Sequence, residues 1–154
     1  MSGGFTVGVL HGPNLNLLGR RQTEHYGELT LEEIDARIGR RARELDAEVV
    51  TFQSNAEGEI VDWIQARTDE VDGWLVNAGG LTHTSVALRD ALAASERPFV
   101  EVHLSHVFAR ERFRRRSVLA DAAVGLVTGF RERSYLLGLE GLLSRLSDGT
   151  SAGT

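Results

Sequence analysis

Short apolar runs alternate along the chain with segments in which apolar residues recur at helical spacing. The runs predict five buried strands, at residues 5–10, 48–53, 73–77, 98–105 and 122–129. Strands that alternate with helices favour right-handed crossovers and a parallel sheet covered on both faces. The pattern therefore predicts an α/β domain with three layers.

Four helices are predicted between and after these strands. Thr30 and Glu33 have capping-box spacing at the start of the first helix, and Thr84 or Ser85 can cap the third, which runs to about Ala94. The apolar faces comprise Leu31, Ile34, Ile38, Ala42 and Leu45 in the first helix, Ile60, Trp63 and Ile64 in the second, and Leu136, Leu139, Leu143 and Leu146 in the fourth.

The chain of 154 residues has the length of one domain, which we place at residues 1–147, with a disordered tail at 148–154. Residues 11–27 show little helical pattern, and a connection of that length is typical of a functional lid. Residues 1–4 resemble no signal peptide and no apolar run is long enough for a membrane span, so we expect a cytoplasmic protein without a membrane partner.

Composition excludes several kinds of chemistry. The chain has no cysteine, which removes disulfides and thiolate chemistry, and all 17 basic residues are arginine. Without lysine, neither a Schiff base nor a Walker-type phosphate loop can form. A net charge of −5 argues against nucleic acid as the main partner, although residues 109–116 hold five arginines, which suit a solvated arm with an anion site better than a nucleic-acid patch.

Polar segments follow four of the predicted strands, at the sheet edge where ligands bind in open parallel sheets. In the fourth strand, alternation places Glu101, His103 and Ser105 on one face, so the carboxylate can orient the imidazole as a general acid or base. An edge strand with a solvated face would show the same pattern.

Two further segments offer candidate site residues. Gly79 and Gly80 precede His83 and the start of a helix, where backbone amides could approach an anion. An ordinary tight turn between a strand and a helix would have the same sequence pattern. The lid carries Arg21 and Tyr26; a guanidinium favours a phenolate, yet most loop tyrosines simply pack. The five histidines are scattered without ligand spacing, so we expect no metal site.

Together, these motifs resemble those of the type II 3-dehydroquinate dehydratases. The resemblance runs from about residue 5 to about residue 146, and its segments are Gly12-Pro-Asn-Leu-Asn-Leu-Leu-Gly19, Gln53-Ser-Asn55 with Glu57-Gly58, the run from Asn77 to Asp90, Glu101-Val-His-Leu-Ser105, Ala109-Arg110 and Phe113-Arg114.

The resemblance implies a flavodoxin-like domain with strand order 2-1-3-4-5 that dehydrates 3-dehydroquinate to 3-dehydroshikimate without metal or cofactor. Tyr26 matches the tyrosine that removes the C2 proton, and Arg21 matches the lid arginine that favours its phenolate. Asn14 matches the residue that helps to stabilise the enolate. His103, oriented by Glu101, matches the acid that protonates the departing hydroxyl.

The resemblance also implies a binding pocket and an assembly. Asn77 with the backbone amides of Leu104 and Ser105 matches the carboxylate pocket, and His83 and Arg114 match residues that bind the ring hydroxyls. Asp90 matches a residue supplied by a neighbouring subunit, in a homododecamer of four trimers. The implied reaction serves either the shikimate pathway of aromatic amino acid biosynthesis or quinate breakdown.

Several residues at the rim of the implied pocket depart from the family's usual pattern. They are His11, Ala56, His106, Phe108 and Val118, and residues 130–135 lack glycines that are frequent there. These departures leave open a catalytically silent paralogue that binds the ligand without converting it. A flavodoxin-like nucleotide or phosphoacceptor module fits less well, because the first strand ends in His-Gly-Pro-Asn rather than an acidic cluster.

Overall fold

Five parallel strands form the sheet at the centre of the molecule. The structure, a computed structural model, describes residues 4–20 and 22–152, with side chains through residue 149. The strands are β1 (Thr6–His11), β2 (Glu48–Gln53), β3 (Gly73–Asn77), β4 (Phe99–His103) and β5 (Gly125–Thr128). Their order, β2-β1-β3-β4-β5, confirms the predicted flavodoxin-like topology, in which the strand order reverses between β1 and β3.

Helices cover both faces of this sheet. They are α1 (Thr23–Tyr26), α2 (Leu31–Glu44), α3 (Glu57–Arg67), α4 (Val86–Ser95) and α5 (Arg133–Ala152). Helices α2 and α5 pack on one face and α3 and α4 on the other, which gives two hydrophobic cores separated by the sheet. None of the helices within the described residues is long and apolar enough to cross a membrane.

The two predicted helix caps are present. The Thr30 hydroxyl accepts from the Glu33 backbone N–H at 3.2 Å, and the Glu33 carboxylate accepts from the Thr30 N–H at 3.2 Å. This reciprocal pair satisfies two of the backbone donors that the first turn of α2 leaves unpaired. Ser85, rather than Thr84, caps α4 by accepting from Leu88 N at 2.9 Å.

The structure decides between two interpretations of one predicted element and differs from the sequence expectations at two others. Strand β4 lies between β3 and β5 and is buried along its whole length, so the edge-strand interpretation is wrong. The expected lid contains the four-residue helix α1, which is too short to produce an apolar period. Helix α5 continues to Ala152 and overlaps the expected disordered tail, since no proline interrupts the sequence there.

Strands β1 and β3 come very close together just beyond their carboxyl ends. The N–H of Gly12 donates to the Asn77 carbonyl at 2.8 Å, and a methyl group built on Gly12 would overlap the backbone of Ala78. Only glycine permits this approach, which brings the loops after both strands to one place.

Replacing Gly12 by alanine is expected to destabilise the fold by about 1–3 kcal/mol, because the two backbones would have to separate. The midpoint of urea unfolding measures the loss. Gly141→Ala is the matched control, since that glycine lies inside α5 with open space around it, and alanine should raise stability by up to about 1 kcal/mol. Equal stability of the two variants would contradict the close approach at Gly12.

Candidate active site

A cleft lies at the carboxyl edge of the sheet, beyond β1, β3 and β4. Its lining is drawn from the loops after these strands, from α1 and from the arginine-rich segment, and consists of Pro13, Asn14, Leu15, Tyr26, Asn77, Gly79, Gly80, His83, His103, Leu104, Ser105, Val107, Arg110 and Arg114. Residues that follow three separate strands thus converge as the sequence predicts. The segment after β2 does not reach the lining.

Strand β4 carries a buried carboxylate and imidazole pair. Glu101 has no exposed surface and accepts from His103 Nε2 at 2.5 Å and from Thr82 Oγ1 at 2.6 Å. The Ser117 hydroxyl lies 2.8 and 2.9 Å from the two Glu101 oxygens. That hydroxyl accepts from two backbone N–H groups at 3.0 Å, so its own proton is free to bond Glu101.

These contacts determine the ionisation of Glu101. Burial on its own would raise the pKa of this carboxyl, but the hydrogen bonds from His103, Thr82 and Ser117 and the attraction of a positive imidazole lower it by more. Glu101 is therefore held as a carboxylate. A carboxylate at Nε2 fixes the orientation of the His103 ring and supports a positive charge on it.

The α1 helix brings Tyr26 to the same cleft. Arg110, whose side chain is 7% exposed, donates from Nη1 to the Tyr26 hydroxyl oxygen at 2.7 Å. The Arg110 guanidinium carbon lies 5.4 Å from the centre of the tyrosine ring. The Tyr26 hydroxyl therefore faces the cleft with a fixed positive charge bonded to its oxygen.

Residues at the end of β2 hold the loop after β1 in place. Asn14 adopts a left-handed backbone conformation, with φ of 70°, which asparagine tolerates better than most residues. Its N–H donates to Asn55 Oδ1 at 2.9 Å, and Gln53 Nε2 bonds both the Gly12 carbonyl and Asn55. The segment after β2 thus supports the cleft without lining it.

The loop after β3 presents an amide and an imidazole. Asn77 is buried, donates from Nδ2 to the Tyr135 hydroxyl at 3.0 Å, and accepts from Gly79 N at 3.2 Å through Oδ1. His83 Nδ1 lies 2.7 Å from the carbonyl oxygen of Arg116 and must donate to it. In the neutral ring, Nε2 of His83 is then an acceptor for a hydroxyl group.

The arginine-rich segment contributes two side chains to the lining. Arg110 lies beside Tyr26, and its Nε, 3.7 Å from the Glu111 carboxylate, is buried without a hydrogen bond. Arg114 pairs with Glu111 at 2.5 Å and packs on the Phe113 ring, with its guanidinium carbon 4.7 Å from the ring centre. The segment thus turns two of its five arginines, Arg110 and Arg114, toward the cleft.

Most residues that the sequence nominated meet at this cleft. Asn14, Tyr26, Asn77, His83, His103, Leu104, Ser105 and Arg114 line it, and Glu101 lies behind His103. Asp90 is exposed on α4 and does not line the cleft of its own chain, and Arg21 lies outside the described residues. Within the described ranges, no group of three or more His, Asp or Glu side chains could hold a metal ion.

Sequence reasoning assigned no role to four residues that the site depends on. Arg110 contacts Tyr26, Thr82 and Ser117 bond Glu101, and Tyr135 bonds Asn77. Only Arg110 carried a usable signal, as one arginine among five in a short segment. Hydroxyl groups that act across the fold leave no local pattern in the sequence.

Comparison with known proteins gives one consistent result. The family model described as Dehydroquinase class II matches residues 5–143. A 3-dehydroquinate dehydratase of Halothermothrix orenii is 52% identical over 144 residues, covering 94% of this chain and 97% of that protein. The crystal structure of a type II dehydroquinase from Butyrivibrio crossotus superimposes with a TM-score of 0.87 at 38% identity, covering 90% of this chain and 97% of that one.

The ionisation of Glu101 predicts how stability changes with pH. Because its pKa in the folded protein lies below the ordinary value of 4.5, its contribution is complete above that pH and is lost as pH falls through the lower, folded-state pKa. We expect Glu101→Gln to flatten the acid side of a plot of unfolding free energy against pH.

Glu32→Gln is the control, since Glu32 is exposed in the first turn of α2. That variant should keep the slope of the original protein between about pH 5 and pH 3, where a carboxyl of ordinary or lowered pKa titrates. An unchanged slope in Glu101→Gln would show that the buried carboxyl does not contribute to the acid sensitivity.

Proposed function

The chain belongs to the class II dehydroquinase family, and from that membership we propose that it removes water from 3-dehydroquinate to give 3-dehydroshikimate at the cleft described above. One observation carries the assignment to this cleft. An arginine-bonded tyrosine and a carboxylate-bonded histidine line the same small space, so a base and an acid are available to one ligand. Loss of water across a carbon–carbon bond requires both.

Tyr26 is the base of the proposed reaction. Its phenolate, to which Arg110 Nη1 donates at 2.7 Å, takes the proton from C2 beside the ketone. The electron pair of the broken C–H bond moves into the ketone to form an enolate, and Asn14 stabilises the enolate oxygen. Arg21, matched by resemblance to the lid arginine that favours the phenolate, keeps that role as a prediction.

His103 is the acid. The enolate re-forms the ketone as the C1–O bond breaks, and His103 gives its proton to the departing hydroxyl, which leaves as water by anti elimination. Glu101 holds the ring through Nε2 and supports the positive charge that the ring carries before it gives up the proton. Glu101 is fully buried, so it bonds His103 rather than solvent, and the two side chains act together.

The remaining lining residues bind the substrate in this proposal. The Asn77 amide and the backbone amides of Leu104 and Ser105 bind the carboxylate, and Asn77 is already fixed by two hydrogen bonds. His83 and Arg114 bind the ring hydroxyls. An acceptor nitrogen at His83 Nε2 suits a hydroxyl donor.

Replacement of either proton-transfer residue should slow the reaction sharply. Tyr26→Phe and His103→Ala are each expected to lower kcat by at least about a hundredfold, the usual contribution of a general acid or base. The ultraviolet absorbance of the conjugated enone product measures turnover directly. Neither a chelator nor borohydride should slow the original protein, since the chain has no lysine for borohydride to trap as a Schiff base.

His106→Ala is the matched control for these variants, because His106 is exposed after β4 and does not line the cleft. Its turnover should stay within a few-fold of the original. Original turnover in Tyr26→Phe or His103→Ala would remove the assigned role of that residue. Substrate binding without turnover in the original protein would favour the silent paralogue, and no binding would reject the substrate.

Assembly is the second part of the proposal. Asp90 is exposed on α4, away from the cleft of its own chain, which agrees with a contribution to the site of a neighbouring copy. The proposed assembly is a homododecamer of four trimers. A cytoplasmic location stays a prediction, as does a role in aromatic amino acid biosynthesis or in quinate breakdown.

Size-exclusion chromatography with light scattering should give a mass near twelve chains of 16.9 kDa. Asp90→Ala should then lower turnover while leaving the unfolding midpoint of the protein nearly unchanged, because the carboxylate is exposed on its own chain. Glu96→Ala, an exposed change at the end of α4, is the control. A monomer at the assay concentration would contradict the assembly.

A further inference from the structure

A buried histidine outside the cleft is connected to a residue of the cleft lining through a chain of hydrogen bonds. His11, 1% exposed at the end of β1, lies 2.7 Å from the Tyr135 hydroxyl through Nδ1 and 2.7 Å from Asp35 Oδ1 through Nε2. Tyr135 is fully buried on α5 and accepts from Asn77 Nδ2 at 3.0 Å. A chain of hydrogen bonds thus runs from α2 through β1 and α5 to the cleft.

The chemistry of the four groups sets the direction of this chain. A carboxylate such as Asp35 only accepts, so His11 holds a proton on Nε2. The Tyr135 oxygen accepts from Asn77, which leaves the Tyr135 proton for His11 Nδ1, so that nitrogen is an acceptor. The Tyr135 hydroxyl then donates to Nδ1, and its oxygen accepts from Asn77. Every donor points away from the cleft and toward Asp35.

Tyr135 keeps its proton under all ordinary conditions. Complete burial raises the pKa of its hydroxyl far above the usual value, the hydrogen bond from Asn77 lowers it by less, and the nearby Asp35 charge raises it further. The hydroxyl is therefore always able to donate to an acceptor at position 11.

We propose that His11 is a positioning residue for the carboxylate-binding amide of Asn77, acting by accepting the Tyr135 proton so that the Tyr135 oxygen faces Asn77 as an acceptor. The inference rests on the proposed role of Asn77 in binding the substrate carboxylate. With this polarity the Asn77 Nδ2 group uses one N–H on Tyr135 and retains the other for a ligand, while Oδ1 accepts from Gly79.

A hydrogen bond in the opposite direction, from Tyr135 to Asn77, would prevent the Asn77 amide from donating to a carboxylate. If the Tyr135 hydroxyl donated to Asn77, the amide would have to turn by 180° to present its oxygen. Its Nδ2 group would then face the N–H of Gly79, where two donors repel, and the hydrogen bond at 3.2 Å would be lost. An acceptor at position 11 therefore selects the orientation of Asn77 that can donate to a carboxylate.

Two replacements of similar size separate the contributions of the two ring nitrogens of His11. Asparagine places an amide oxygen near the position of Nδ1, so His11→Asn keeps an acceptor for Tyr135 and loses the bond to Asp35. Glutamine reaches the position of Nε2, so His11→Gln keeps a donor to Asp35 and leaves Tyr135 without its acceptor. Tyr135→Phe removes the hydroxyl altogether.

Steady-state kinetics with 3-dehydroquinate, together with competitive inhibition by the product, tests the inference. His11→Gln should raise KM and the inhibition constant by about fivefold, the equivalent of one ordinary hydrogen bond, and change kcat by less. His11→Asn should recover most of that loss. In the His11→Gln, Tyr135→Phe double variant, KM should equal that of Tyr135→Phe alone, because His11 acts through the hydroxyl.

A purely structural role would give a different result. Ser95→Ala removes a buried hydroxyl that accepts from Trp74 Nε1 at 3.0 Å, outside the cleft lining, and should lower the unfolding midpoint with KM unchanged. Loss of stability in His11→Gln without a rise in KM would overturn the proposal, as would equal KM values for His11→Asn and His11→Gln. Absence of turnover in the original protein would instead reject the proposed function.

Discussion

A carboxylate with no exposed surface, Glu101, lies on an interior strand, and burying such a charge is costly unless every oxygen is bonded. Its donors come from β4 itself, from the loop after β3 and from the segment after the arginine-rich arm, through His103, Thr82 and Ser117. Satisfying this one group therefore draws three chain segments together. Two of these segments, β4 and the loop after β3, line the cleft, and the third is tied to that loop because Val118 N bonds the Thr82 carbonyl at 2.8 Å.

The cleft separates its two kinds of charge. The anion, Glu101, lies behind the imidazole, and the cation, Arg110, lies beside the phenol. In the proposed reaction, the anion supports proton donation by His103 and the cation supports proton removal by Tyr26. Direct pairing of Glu101 with Arg110 would cancel both effects. Burial of the carboxylate beneath His103 keeps them apart, so the electrostatics depend on the same constraint as the fold.

Period and cap signals were sufficient to predict the five strands and the four long helices, because burial on a strand or helix face leaves a regular pattern. The strand order came from the family resemblance. The cleft was predictable for the same reason, as polar residues such as Asn77 and His103 follow buried strands directly. Arg110 and Tyr135 could not be assigned roles, since their partners are distant by 84 and 58 residues. The segment of β4 alone could not exclude an edge strand, because strand pairing is a property of the whole sheet.

The absence of lysine gives the cleft a further property. An arginine keeps its charge at every pH at which the protein is folded, and its planar group can bond an oxygen while packing on a ring. Arg110 does both with Tyr26. The positive charge beside the phenol is therefore constant, and proton uptake and release in the cleft fall to tyrosine, histidine and carboxyl groups alone. A lysine in the place of Arg110 would add an amine whose charge depends on its burial. In the proposed reaction, the arginine thus keeps the charge beside Tyr26 independent of the proton transfers in the cleft.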